Sequence, residues 1–482
     1  MANETTKVEV NGANPVKESE RYGTARSLFP IWFSWNVSIL GITYGIYVYS
    51  LGLSPMQAFV AGILGYFISC GLVGILAVGG TRTGLPTLVQ TRFAFGYVGN
   101  KIPTLFAYIS NMGWQVIIIS VASMTGADWI AHLLLGTFAN ELGQANTLSI
   151  GMFFVITISI VMFVSIYGYQ LILKVENIIA WITGIMTLIF IMMILPEINL
   201  ANLNNSTSGS FYEFLGGLIM AMTMVGLGFL NCGGDFARYL PVKTKANGII
   251  GWTTLGIALP VSILLVLGVL LSATNPELSE KAAMEPVAAL TSMLPMWFYI
   301  PFSIVIIISL LAASITGVYS SGLALLAMGM PTTRAVTTAI NAVIIAAGSI
   351  YLTFISDSFL NTFQAFLATI SVVVGAMAAI QLIDFIRQKR LHWNVDMALS
   401  KENGGVNYRW GAVISLFIAS FIGLGTITSA DPYIAYVVGF LLSEEAKQSV
   451  LASANIGVII SMVVGAVLYS VLTFAFKVEN KQ

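Results

Sequence analysis

Most groups in this chain that can hydrogen-bond or stack lie inside apolar runs, where water cannot serve them. Asn36 and Ser38 stand in the run Pro30-Ile-Trp-Phe-Ser-Trp-Asn-Val-Ser-Ile-Leu-Gly41. A polar side chain there needs a partner, which a neighbouring helix, an ion or a substrate can supply. Trp114, in Asn111-Met-Gly-Trp-Gln115, sits well inside another run, away from the run ends where membrane tryptophans concentrate. An indole beside a glycine offers a flat face for stacking a planar ring, and core packing explains it equally. Met222 to Pro241 is an apolar run that carries Thr223, Gly226, Gly228, Gly233 and Gly234 before Asp235 and Arg238. Each glycine weakens a helix by roughly 1 kcal/mol relative to Ala. The segment therefore reads as a discontinuous helix, whose freed backbone groups can bind substrate. Ser314, Thr316 and Gly317 fall in Ala312 to Gly322, where small and hydroxyl residues suit either tight helix packing or oxygen ligation of sodium. Asn361, Phe363 and Gln364 open a later run with the same ambiguity.

Ionisable residues are scarce within these runs. Asp128, Lys174, Glu176, Asp235, Arg238 and Asp384 all fall near run ends. That favours a neutral, planar, hydrogen-bonding ligand over a charged one held by a counter-ion. The loop Gly80-Thr-Arg-Thr-Gly-Leu-Pro86 is not a P-loop, because no Gly-Lys-Ser/Thr follows. There is no nucleophile elbow and no zinc-ligand spacing, so neither an enzyme nor a cofactor is expected. Cys70 and Cys232 are separate apolar-run cysteines, and His132 and His392 form no metal motif. The formal net charge is zero, which gives no reason to expect a nucleic-acid partner.

The elements that must position these residues are membrane helices. The chain has 482 residues, 57% of them hydrophobic and 9% charged, where soluble proteins average about 25% charged. Its mean hydropathy is +0.88. Runs long enough to cross a bilayer lie near 28–50, 54–79, 103–127, 147–168, 174–195, 211–231, 248–272, 297–328, 335–355, 359–386, 410–428 and 452–475. The run at 433–442 is too short to cross. With the N-terminus inside, the loops predicted to be cytoplasmic hold 19 of the 21 lysines and arginines, as the positive-inside rule requires. The expectation is an all-α polytopic membrane protein in the plasma (inner) membrane, with twelve transmembrane helices, both termini cytoplasmic and lipid around it. No cleavable signal peptide is expected, because the first thirty residues are polar and charged. Interrupted spans five helices apart suggest two five-helix repeats of inverted topology.

These pieces in order resemble the nucleobase–cation symporter family, in its purine–cytosine permease branch. The matching residues are Trp32-Phe-Ser-Trp-Asn36, Gly52-Leu-Ser54, Gly80 to Pro86 with Arg92 to Gly96, Gly113-Trp114, Gly168-Tyr169 with Glu176 and Trp181, Asp235-Phe-Ala-Arg-Tyr-Leu-Pro241, Tyr319-Ser320 with Leu323, and Phe363 to Leu367 leading to Asp384. The resemblance implies a leucine-transporter-type 5+5 inverted-repeat core plus two C-terminal helices. Its divisions are a tail at 1–27, a core at 28–390 with repeats 28–195 and 211–390, a loop at 391–409, two further helices at 410–476 and a tail at 477–482. It implies alternating-access symport of a nucleobase, cytosine or purine, or a related planar nitrogen heterocycle, with H+ or Na+. Hydantoin, allantoin, thiamine or an amino acid on the same fold is the alternative. Trp114 would stack on substrate, Val225, Gly226 and Gly228 would form the unwound sixth-span contact, and Ser314, Thr316 and Gly317 would line the eighth-span side. Phe33, Asn36, Ser38, Thr223 and Gln364 complete the expected substrate set. Ser34, Ala313 and Thr316 mark the region where sodium would sit between the first and eighth spans. The chain departs from its relatives at Gly226, where an aromatic is usual, at Ile118, where an amide is frequent, and at the eighth span, where Ser, Thr and Gly replace asparagines. Such a pocket reads fewer ring edges, and a proton remains open as the coupling ion. The sequence carries no signal for oligomeric state.

Overall fold

The computed structural model describes residues 14–134, 145–167, 169–198, 208–328, 334–391, 393, 395–399 and 405–475. Gly168, His392, Lys401 and both extreme tails lie outside them, as do the side chains of His132, Tyr169, Lys174, Glu176, Tyr319 and Leu323. Helix is what the composition enforces, since backbone groups in hydrocarbon must pair within their own segment. The membrane helices are α1a (Leu28–Asn36), α1b (Leu40–Tyr49), α2 (Pro55–Thr83), α3 (Lys101–Leu134), α4 (Thr147–Tyr167), α5 (Tyr169–Ile194) and α6a (Phe211–Met224). They continue as α6b (Gly233–Ala237), α7 (Ala246–Thr274), α8 (Met296–Ala327), α9 (Arg334–Ile350), α10 (Phe359–Leu391), α11 (Trp410–Gly425) and α12 (Gly457–Ala475).

Among the described residues, eight spans qualify on length and apolarity and the bent α1 pair makes a ninth. The shorter apolar helices Ile178–Ile194, Trp410–Gly425 and Gly457–Thr473 bring the total to the expected twelve. The run at 433–442 does not cross. Asp431 caps the four-residue turn Pro432–Ala435, and short turns lead on to α12. The α2–α3 and α10–α11 loops share the basic end of the molecule. The α1–α2 and α9–α10 connections and the helical hairpin Pro276–Met284 with Pro286–Thr291 share the far end.

Two packed groups form the core. Helices α1, α2, α6 and α7 pack on one another, and α3, α4, α8 and α9 form the second group. Helix α10 touches α3, α6a and α12 and so spans both. The closest crossing is α1b on α7. A Cβ on Gly45 would lie 2.2 Å from the Leu265 carbonyl oxygen, and one on Gly268 would lie 1.9 Å from that of Ile42. Small residues here let two backbones touch, which supplies the van der Waals contact that lipid cannot outcompete.

Local chemistry sets the helix ends. Helix α2 opens on a capping box in which Gln57 N donates to Ser54 Oγ and Ser54 N donates to Gln57 Oε1, with Pro55 at the first helical position. Ser210 and Glu213 open α6a in the same way. At the basic end the α2–α3 loop clamps α6b. Thr87 N donates to Asp235 Oδ1 at 2.7 Å, Gly234 N to Thr87 Oγ1 at 2.7 Å, and Thr81 Oγ1 to Ala237 O at 2.8 Å. The Gly80 to Pro86 motif and Asp235 thus hold one break of the site in place from below.

Candidate functional site

Both halves of the core contribute a broken helix. Between α1a and α1b the axis turns by 73°, with Val37 at φ −82°, ψ 89°. Asn36 Nδ2 donates to Trp32 O at 2.8 Å and Leu40 N donates to Ser38 Oγ at 3.4 Å. The Ser38 hydroxyl therefore meets one backbone N–H that the bend releases, while the Asn36 amide folds back on a carbonyl of its own helix. In the sixth span α6a stops at Met224, Val225 adopts φ −130°, ψ −77°, and one tight turn, Leu227–Phe229, precedes α6b. Gly226, at the start of that turn, gives no side-chain cap, and Gly228 N and Phe229 N donate to Val225 O and Gly226 O, both at 3.1 Å. At the start of α6b, Thr87 Oγ1 accepts from Gly234 N. A Cβ on Gly226 would meet Ser69 Oγ at 2.2 Å and the Ser69 carbonyl carbon at 2.5 Å, and one on Gly228 would lie 3.0 Å from Trp114 Nε1.

Trp114 of α3 therefore lies directly against the α6 break, with aromatic layers on either side. Towards the far end, Phe363 of α10 meets Trp114 edge-on, at 5.9 Å between centroids and 76°, and stacks on Tyr44 of α1b at 6.2 Å and 16°. Tyr47 OH donates to Ala282 O of the far-end hairpin at 2.8 Å. This layer is sealed, with Phe363 2%, Tyr44 8% and Tyr47 1% exposed. Towards the basic end, Trp32 and Trp35 of α1a pack on Phe229 and Phe236 at 5.1–6.5 Å. Here Trp35 is 36% exposed, and Trp114, Phe229 and Asn231 are half-buried. Asn231 Nδ2 reaches across to Ala107 O of α3 at 3.4 Å.

The α3–α8 wall is polar. Asn111 Nδ2 donates to Gly317 O at 3.2 Å, and Gln115 Nε2 donates to Asn111 Oδ1 at 3.3 Å. Gly317 has no side chain because the Gln115 amide fills that space. Among the described residues, Gln115 Oε1 and Ser314 Oγ are buried without a partner. Such groups accept or donate at a cost if left unpaired, so this wall can read the polar edge of a ring.

The expected site residues divide into separate groups. Trp114 and Gly228 meet at the α6 break, and Gly317 faces the Gln115 amide. Val225 is buried as the cap of α6a, and Gly226 packs on α2. Thr223 and Gln364 line a different cleft of about 400 Å³ with Met220, Leu51 and Asn455, and Trp114 is not part of its wall. Thr223 Oγ1 donates to Met220 O at 2.8 Å, and Gln364 Nε2 meets Met220 Sδ at 3.8 Å. Phe33 stacks on Phe29 at 5.4 Å. Ser34 Oγ donates to Ile31 O at 2.9 Å and Thr316 Oγ1 to Ala312 O at 3.1 Å, while Ala313 is exposed. Each of those hydroxyls keeps a lone pair for a cation. Helix α1a packs chiefly on α7 and α8 chiefly on α3, so the two halves of the sodium region sit on different packed groups.

Phe363, singled out in the sequence with Asn361 and Gln364 but left outside the expected substrate set, closes the far side of Trp114. One feature was missed from sequence, Asp431, a 2% exposed residue. Its carboxylate accepts from Tyr351 OH at 2.9 Å, Thr362 Oγ1 at 2.8 Å and the backbone N of Tyr433 and Ile434, both at 3.1 Å. Thr362 precedes Phe363, so this latch fixes the first turn of α10 over the site. Burial alone would raise the Asp431 pKa, but these hydrogen bonds outweigh it and hold the carboxyl below its ordinary value. The signal was an Asp-Pro pair, a common helix start.

Comparison with known proteins places this geometry. The sequence pattern of permeases for cytosine/purines, uracil, thiamine and allantoin matches residues 15–465. YxlA of Bacillus subtilis (strain 168), provisionally named a purine-cytosine permease, is 24% identical over 97% of this chain and 96% of its own. The purine-cytosine permease FCY2 of Saccharomyces cerevisiae (strain ATCC 204508 / S288c) is 24% identical over 54% of this chain and 47% of its own. Among solved structures, the inward-facing conformation of Mhp1 matches with TM-score 0.70 and 17% identity, covering 98% of this chain and 96% of that one. Mhp1, a nucleobase-cation-symport-1 family transporter, closed with bromovinylhydantoin bound, matches with TM-score 0.64 and 16% identity over 98% of both chains. Those two likenesses show a shared leucine-transporter-type fold of twelve helices. The match over nearly the whole chain settles the family: this protein is a membrane permease of the nucleobase–cation symporter family, and not an enzyme.

Proposed function

We propose that the protein imports a nucleobase, cytosine or a purine, or a related planar nitrogen heterocycle, across the plasma membrane together with H+ or Na+. The observation that carries this is the Trp114 indole laid against Gly228 at the α6 break. A flat indole beside a broken helix matches a planar ligand with hydrogen-bonding edges, and stacking on an aromatic is worth about 1–3 kcal/mol per base. Trp114, Gly228, Gly317 and Ser314 form the substrate wall, with Phe33, Asn36, Ser38, Val225 and Gly226 shaping the breaks around it. Gln364 and Thr223 act from the neighbouring cleft. The cation binds in the region of Ser34, Ala313 and Thr316 when the two packed groups close on each other. Repeats 28–195 and 211–390 move against one another to give alternating access. The basic end faces the cytoplasm, with both termini there, because the lysines and arginines gather on that side. The sealed far layer and the half-buried near layer then correspond to an inward-facing state.

Uptake by the purified protein in liposomes tests this directly. A panel of cytosine, adenine, guanine, hypoxanthine, uracil, allantoin, hydantoin and thiamine, under imposed sodium or proton gradients, identifies both substrate and ion. Concentrative uptake that collapses with one of the two gradients is expected. Uptake that occurs only when ATP is supplied, with both gradients clamped, contradicts the symporter reading.

A further inference from the structure

A second built site lies at the basic end, remote from Trp114. The α2–α3 and α10–α11 loops run side by side there. Tyr97 N donates to Val406 O at 2.8 Å, Val98 N to Asn407 O at 2.8 Å and Arg409 N to Phe95 O at 3.0 Å. The walls of the open cleft between them include Arg92, Gln388, Arg409, Gly96, Gly405 and Val406. Arg92 is held in place, with its guanidinium 4.5 Å above the Tyr97 ring and Nη1 donating to Ala398 O at 3.0 Å. Its Nε is buried without a hydrogen-bond partner. The buried carboxylate closest in sequence to Gln388, Asp384, is committed to Arg387 at 2.7 Å and to Tyr469 OH at 2.9 Å. Among the described residues, neither Arg92 nor Arg409 has an ion-pair partner, and both line the cleft.

Its depth is marked independently. Tyr408 and Trp410, which flank Arg409, stack at 5.1 Å and 15° and are 39% and 60% exposed. Exposed Tyr and Trp at a helix start belong at the headgroup level of a bilayer, and basic pockets between membrane helices accept anionic headgroups. We propose that this cleft binds the phosphate of an anionic phospholipid, with the guanidinium groups of Arg92 and Arg409 donating to it and the Tyr408–Trp410 pair lying along the glycerol and upper chains. Guanidinium suits that ligand because its planar fork meets phosphate oxygens in pairs.

The test is native mass spectrometry of the purified full chain titrated with phosphatidylglycerol or phosphatidylcholine of matched chains. The wild type is expected to hold one phosphatidylglycerol in preference to phosphatidylcholine. Removing each arginine lowers that preference by roughly five-fold. Arg409→Gln is the main variant, since its backbone and not its side chain holds the loop, and Arg409→Lys is expected to restore part of the preference. Arg82→Gln alters a basic residue at the same end that donates to Val242 O and Thr244 O, and is expected to leave lipid preference unchanged. Equal retention of the two lipids, or an unchanged Arg409→Gln, overturns the proposal. Displacement of the lipid by millimolar inorganic phosphate as readily as by phosphatidylglycerol also overturns it, in favour of a free-phosphate site. None of these readouts depends on the transported substrate.

Discussion

Helix α1 breaks between Asn36 and Leu40 on polar side chains that turn back on their own segment, whereas α6 breaks between Met224 and Gly233 on glycines that lean on other helices. The first break finds its side-chain bonds within its own segment, Ser38 to Leu40 N and Asn36 to Trp32 O. The second borrows its support, from Ser69 of α2 at Gly226 and from Trp114 of α3 at Gly228. A break that satisfies itself is a fixed bend. The α6 break instead sets glycine backbone beside a half-buried indole, and that difference is why the proposed substrate site is put on the α6 side.

The largest effect is expected at Gly226. Gly226→Leu drives a side chain into Ser69, including its backbone, and overpacking of this kind costs roughly 1–3 kcal/mol or more. Size-exclusion profiles of solubilised protein are expected to show aggregation and loss of uptake. A well-behaved, active Gly226→Leu protein breaks the claim that this break rests on α2. Next is Trp114→Ala, for which substrate affinity is expected to fall by one to two orders of magnitude, from the loss of about 1–3 kcal/mol of stacking, at unchanged membrane level. Trp114→Phe is expected to recover part of it.

Asp431→Asn sharpens the comparison from the far side. Loss of the carboxylate frees the first turn of α10, so Phe363 leaves Tyr44 and the seal above α1b loosens. Cysteine-accessibility labelling near Tyr47 is expected to rise several-fold, and unchanged labelling means that Asp431 does not hold the lid. The sign with pH follows from its lowered pKa. The latch is fully present above the ordinary carboxylate pKa of about 3.9 and is lost as pH falls through the lower folded value, so labelling at neutral pH matches that at pH 5. A smaller effect is expected for Asn36→Ala, about 1 kcal/mol of stability from one lost hydrogen bond, with the rank order of substrates preserved. A reordered substrate profile instead identifies Asn36 as a ligand. Ser38→Ala, which removes only a 3.4 Å bond, is expected to change uptake less than two-fold.

The twelve helices and the α6 break were legible because hydropathy, loop charge and clustered glycines are local signals. The α1 bend was legible only as polar residues out of place, since no glycine or proline marks it. Gly226 was readable as a missing aromatic but not its cause, which is backbone contact with Ser69 on a distant helix. The aromatic of that segment is Phe229, turned towards Trp32. Thr223 and Gln364 were grouped with Trp114 because an apolar helix hides which face looks inward, and the structure gives them another cleft. Asp431 joins Tyr351 and Thr362 across three segments, a contact that no local pattern encodes.

Counterflow exchange by the purified protein in liposomes, with wild type and Trp114→Ala compared across the heterocycle panel, tests the central claim most directly. The account predicts that the wild type exchanges at least one planar nitrogen heterocycle and that Trp114→Ala, equally reconstituted, loses that exchange. The same exchange kinetics in both proteins would contradict it.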